Sequence, residues 1–110
     1  MAGWFELGNS ADGQFRFVLK AANSQVVLTS ELYAAKDSAK NGIASVQANC
    51  GDDSRYERKT SSNAKPFFNL KAANHQVIGT SQMYSDESSR EAGIASVKAN
   101  GTTKDVREGA

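Results

Sequence analysis

The chain has 110 residues, 39% of them hydrophobic, with 13 Lys and Arg against 12 Asp and Glu for a net charge of +1. That is enough chain to bury a core without staples, and mixed charge with a single proline excludes a disordered or fibrous polymer. A balance so close to neutral also speaks against the concentrated positive charge that drives nucleic-acid binding by counterion release.

The N-terminus, MAGWFELGNSADGQ, lacks the basic stretch and apolar run of a signal peptide, and no run approaches the roughly 18 apolar residues of a membrane span. The expectation is a cytoplasmic protein that does not engage a membrane. GWFEL at 3 to 7 reads as a first strand. In GQFRFVLK at 13 to 20, Phe15, Phe17 and Leu19 alternate with Arg16, Val18 and Lys20, the period of a strand buried on one face. KAAN at 20 to 23 leads into a two-residue hairpin turn, where asparagine suits the left-handed conformation, and QVVLTS at 25 to 30 is the returning strand. SELYAAK at 30 to 36 leads into a helix with Asp37 near its first turn and Ile43 and Val46 on one face. That helix is predicted to stop at Asn49 in a left-handed turn, which makes Cys50, the single cysteine, a reduced surface thiol without a disulfide partner.

From here the chain repeats itself. KAANSQVV at 20 to 27 returns as KAANHQVI at 71 to 78, and GIASVQAN at 42 to 49 returns as GIASVKAN at 93 to 100, both at an offset of 51. Between Phe17–Asn49 and Phe68–Asn100 there are 19 identities in 33 ungapped positions, the mark of a duplication. Two copies are expected to close on each other about a pseudo-twofold axis, as the subunits of a symmetric dimer do, leaving the chain a monomer. SRYER at 54 to 58 matches GWFEL, Ser85 is placed to cap the second helix ahead of Asp86 and Glu87, and DVRE at 105 to 108 supplies a last short strand. Gly42 and Gly93 sit inside the helices at a cost of about 1 kcal/mol each, which predicts close approach to the sheet or between the helices.

The predicted fold is α+β: tandem strand-strand-strand-helix units forming one antiparallel sheet with two helices packed on one face. One domain of 110 residues is expected, with the first repeat at about 3 to 53 and the second at about 54 to 108. The quoted elements, GQFRF, KAAN, SELY and NGIASVQAN with their second copies, resemble the YegP-like family of small bacterial proteins over about residues 3 to 108. The second copy departs from the pattern at Lys65-Pro66-Phe67-Phe68, SQMY and AGI. The resemblance implies C-terminal strands exchanged between the repeats, and it implies no activity, since the family has no characterised function to transfer.

Candidate chemistry is sparse. His75, the single histidine, stands at a hairpin tip opposite Ser24 of the other copy, an exposed place without the pocket a general base needs. Tyr33 and Tyr84 precede the helices, where a ring is expected to pack on the sheet edge with its hydroxyl in water. Asp52, Asp53 and Glu57 with Arg55, Arg58 and Lys59 read as a solvated run. No phosphate loop, dinucleotide fingerprint, zinc motif or nucleophile elbow occurs, so no enzyme, catalytic residue, metal or cofactor is predicted. The reading is a small binding or interaction module with an unidentified protein or peptide partner. Two alternatives stand beside it. On the outward sheet face, Trp4, Arg16, Lys20, Phe67 and Lys71 interleave rings and cations in the manner of a single-stranded nucleic-acid platform; an enzyme with a site between the repeats is the other.

Overall fold

The computed structural model describes residues 3–10 and 12–108. In chain order it contains β1 (Trp4–Asn9), β2 (Phe15–Lys20), β3 (Val26–Ser30), α1 (Lys36–Asn49), β4 (Tyr56–Thr60), β5 (Pro66–Lys71), β6 (Val77–Thr80), α2 (Glu87–Asn100) and β7 (Val106–Glu108). The strands form one seven-stranded sheet in the order β4-β5-β6-β3-β2-β1-β7. Phe5, Leu7, Phe17, Leu19, Phe68 and Leu70 are buried on one face, while Glu6, Val18 and Asn69 between them turn to the other. Register repeats with the duplication: Phe5 faces Leu19 and Leu7 faces Phe17 in the first copy, as Tyr56 faces Leu70 and Arg58 faces Phe68 in the second. The copies meet where β3 and β6 pair antiparallel through Thr29 and Thr80.

The sheet is mixed, not wholly antiparallel as its sequence predicts, because β7 pairs with β1 in parallel, Phe5 against Val106. The antiparallel place beside β2, which β4 fills beside β5, is already held by β1. The segment leaving α2 therefore adds to the free side of β1.

Four hairpins share one turn. Ser24 N–H donates to Ala21 O and Ala21 N–H to Gln25 O, each at 2.9 Å, and the pattern recurs at Ser10–Gln14, Ser61–Lys65 and Ala72–Gln76. These are three-residue connections with the third residue left-handed, in place of the expected two-residue turn. The left-handed residues are Gly13 (φ 82°), Ser24 (69°), Ala64 (65°) and His75 (68°), not the asparagines. Asn23 and Asn74 instead accept the backbone N–H of Gln25 and Gln76 on Oδ1 at 3.1 Å.

Both helices have 14 residues, with ends that differ from those the sequence predicts. Asp86, not Ser85, caps α2 by accepting the Ser89 N–H at 2.7 Å, and Ala35 leaves α1 without a side-chain cap. Cys50 and Gly101, the residues after each helix, stay right-handed and donate to Val46 O and Val97 O, so no left-handed turn forms. The helical glycines are close to tyrosine. A Cβ on Gly42 would stand 2.5 Å from the Tyr33 hydroxyl and 2.9 Å from Phe17, and one on Gly93 would strike the Tyr84 ring. Each tyrosine is thus slid beneath a helix, stacked on Phe17 or Phe68 with ring centroids 6.3 and 6.4 Å apart. Both rings pack against the core beneath a helix instead of at a sheet edge, and partial burial pushes both hydroxyls above the usual phenol range.

One buried cluster runs through both copies. α1 packs on β2 of its own copy and on β5 and β6 of the other, and α2 reciprocates on β5, β2 and β3. At the pseudo-axis the copies differ in size. Leu28 faces Gly79, where a Cβ would be 2.9 Å from Leu28 Cγ, and Cys50 faces Gly101, where it would be 2.8 Å from the sulfur. Two large side chains cannot share the axis, so one copy carries the bulk and the other glycine. Cys50 is accordingly buried, not a surface thiol, and burial raises its pKa.

Candidate binding surfaces

The helices cover one face of the sheet and leave the other open. Strand alternation places all five sequence-predicted residues on that open face. Trp4 and Lys20 are direct neighbours across β1 and β2, and Arg16 sits four register steps farther along, opposite Gly8. Phe67 and Lys71 lie on β5, beyond the β3–β6 seam and about 14 Å from β2 at ordinary strand spacing. Three antiparallel steps reverse β5 relative to β2, so Lys20 shares an end of the face with Phe67 and Arg16 shares the other with Lys71. The five do not form one cluster.

Two glutamates account for much of the local chemistry. Glu6 Oε2 accepts the Trp4 indole N–H at 2.9 Å and meets Lys20 Nζ at 3.1 Å. At the same register of the other copy, Glu57 accepts from Asn69 at 3.1 Å and meets Lys71 Nζ at 3.0 Å. The Trp4 indole, then Lys20, holds the Glu6 carboxyl below the usual carboxylate range; for Glu57 the Asn69 amide leads, then Lys71. Arg107 of β7 lies 4.1 Å from the centre of the Trp4 ring and pairs with Asp105 at 3.0 Å. Arg16 is exposed beside a depression of about 240 Å³ over Gly8. The signal for this pairing in the sequence is the shared 51-residue offset of Glu6/Glu57 and Lys20/Lys71.

The acidic and basic run after α1 is ordered into exposed ion pairs. Arg58 bridges Glu91 and Asp53, at 2.9 and 3.1 Å, and Asp53 also meets Lys98 at 2.9 Å. His75 is exposed at its hairpin tip. Among the described residues no group of three His, Cys, Asp or Glu could hold a metal ion, and no helix is long and apolar enough to cross a membrane.

A second pair of surfaces lies on the helix side, between the copies, where sequence reading placed no residue. Tyr33, Ser38, Gly42 and Ser45 face the hairpin residues Asn74 and Gln76 of the other copy across a cleft of about 220 Å³. Tyr84, Ser89, Gly93 and Ser96 face Asn23 and Gln25 across one of about 240 Å³. The two linings correspond at the 51-residue offset, and the signal that marks them in the sequence is polar identity at exposed positions.

A family described as "Domain of unknown function (DUF1508)" matches residues 10–57 and 61–108, one copy after the other. UPF0339 protein YegP of Escherichia coli K12 is 65% identical over 108 residues, covering 98% of each chain. A UPF0339 protein of Shewanella oneidensis is 56% identical over 108 residues, also 98% of each. The solution NMR structure of E. coli YegP, a protein of unknown function, superposes with a TM-score of 0.94 over 98% of this chain and 93% of that one. The solution NMR structure of the Shewanella protein gives 0.92 over 98% and 92%. The chain belongs to the DUF1508 family and contains two tandem copies of its domain.

Proposed function

We propose that this two-copy DUF1508 chain is a non-enzymatic interaction module whose open sheet face contacts a protein partner. The observation that carries this is the paired chemistry of that face: Lys20 with Glu6 and Lys71 with Glu57, at 3.1 and 3.0 Å. Both lysines already hold a carboxylate, and Arg107 covers the Trp4 ring. Phosphates and bases would have to displace these contacts, whereas a tryptophan with an arginine against it is the composition enriched at protein interfaces. We place Trp4, Arg16, Lys20, Phe67 and Lys71 on that contact surface. The single-stranded nucleic-acid reading keeps Arg16 and the same rings as its support.

The deciding experiment is a Trp4 fluorescence titration with single-stranded oligonucleotides at low salt. No saturable change at micromolar protein is the expected result. Saturable quenching that salt weakens and Lys20→Ala removes would give the face to nucleic acid. For the protein reading, a binding partner held by the wild type should be released by Arg16→Glu with Lys71→Glu, and retention by that variant would sink it.

We further read the chain as one cytoplasmic, monomeric domain of two repeats, about residues 3–53 and 54–108, with exchanged C-terminal strands. Supporting the exchange, β7 follows α2 in the second repeat yet pairs with β1 of the first. The enzyme alternative, a site between the repeats, meets clefts lined by hydroxyls and amides without the carboxylate or imidazole a general base requires.

A further inference from the structure

We propose that the two clefts between the copies are equivalent binding sites, each taking one small, uncharged, polyhydroxylated ligand of monosaccharide size. Each is built from both copies: a hairpin tip from one, a helix and the tyrosine beneath it from the other. Nine positions recur in both linings at the 51-residue offset. Val27/Ile78 and Asn41/Ala92 differ; the other seven keep their residue. Exposed positions elsewhere have not been so constant. Lys36 and Lys40 of α1 became Glu87 and Glu91 of α2, Arg16 became Phe67, and Ser24 became His75.

Part of the identity is structural. Asn23 and Asn74 complete their turns, and Ser45 and Ser96 accept from Asn49 and Asn100 at the helix ends. That leaves Gln25 and Gln76, whose side chains make no hydrogen bond among the described residues, and Tyr33, whose hydroxyl makes none either. Folding does not require these polar groups in both copies.

Their chemistry sets the ligand class. No carboxylate, ammonium, guanidinium or imidazole lines either cleft, so a charged ligand would lose hydration without gaining a counter-charge. Amides of Asn and Gln present a donor and an acceptor side by side, matching the vicinal hydroxyls of a sugar, with serine and tyrosine hydroxyls to complete the set. These clefts lie on the helix side, so the proposal is independent of the sheet-face reading.

The test is an NMR titration of the labelled full-length protein with glucose, galactose, mannose and N-acetylglucosamine, against glucose 6-phosphate and glucosamine as charged comparators. Disaccharides ending in the same units separate a free sugar from the end of a glycan. The expected result is that one neutral sugar shifts the Gly42 and Gly93 amides with similar saturation, and its charged comparators bind at least about tenfold more weakly. Gln76→Ala should weaken binding about tenfold at Gly42 and leave Gly93 unchanged, with Gln25→Ala doing the reverse, so each variant carries its own folded control. The proposal fails if no neutral sugar shifts either glycine at about 50 mM, well above the millimolar range of weak ligands. It fails equally if the charged compounds bind as well, or if both glutamine variants leave both sites intact.

Discussion

Ala64 occupies a backbone conformation that its side chain disfavours. Its φ of 65° is left-handed, as are those of Ser24 and His75, while the matching place in the first hairpin is Gly13. A Cβ on Gly13 would meet nothing within 4 Å, so the difference between the two residues there is purely one of backbone preference. A left-handed L-residue costs about 1–2 kcal/mol, and glycine gives back part of that through its freer unfolded chain. Ala64→Gly should therefore stabilise the protein by about 0.5–1 kcal/mol and Gly13→Ala should destabilise it by a similar amount, read by chemical denaturation. A loss of stability in Ala64→Gly would overturn the account. The hairpins themselves were legible, because their phrase recurs between apolar runs. Which residue turns left-handed was not: asparagine has the stronger intrinsic tendency, but its side chain serves better one place earlier, accepting the glutamine N–H.

The two edges of the sheet solve one exposure problem in opposite ways. On the first copy, β7 covers β1, and Lys36 and Lys40 of α1 hold Glu108 of that strand. On the second copy the equivalent edge, β4, has no covering strand among the described residues. Leu7 is replaced there by Arg58 and the two lysines by Glu87 and Glu91, and Arg58 reaches Glu91 at 2.9 Å. An inward charge on an edge strand discourages pairing with another chain. The pair is exposed, so its own contribution to stability is small. Arg58→Leu should cost under about 1 kcal/mol yet expose an apolar edge equivalent to that of β1, and light scattering should detect concentration-dependent dimers. A variant that stays monomeric at all concentrations would show that something else guards this edge. The charge reversal could be read in the sequence; its purpose could not, since it depends on β1 winning the place beside β2 and sending β7 outside it.

Neither copy owns a complete core. Each helix lies across strands of both, the antiparallel seam between β3 and β6 is internal to the sheet, and the axis is filled by Leu28 and Cys50 of one copy against Gly79 and Gly101 of the other. Ser30 and Ser81 add to this at the seam: each takes the buried N–H of Phe17 or Phe68 on its hydroxyl, at 2.9 and 3.0 Å, where β3 and β6 leave their hairpin partners to meet each other. The duplication made a pseudo-twofold fold legible, because two amphipathic halves with one register have one economical way to close. The clefts stayed hidden, because Gln76 and Gly42 become neighbours only once the hairpin of one copy is known to face the helix of the other. Interlocking of this kind predicts that the halves unfold together. Trp4 fluorescence follows the first copy and the His75 ring signals follow the second, and in a denaturant series their midpoints and slopes should coincide as one transition. If either probe moved ahead of the other, the copies would have separable cores, and neither the axis pairs nor the shared clefts could bind them into a unit.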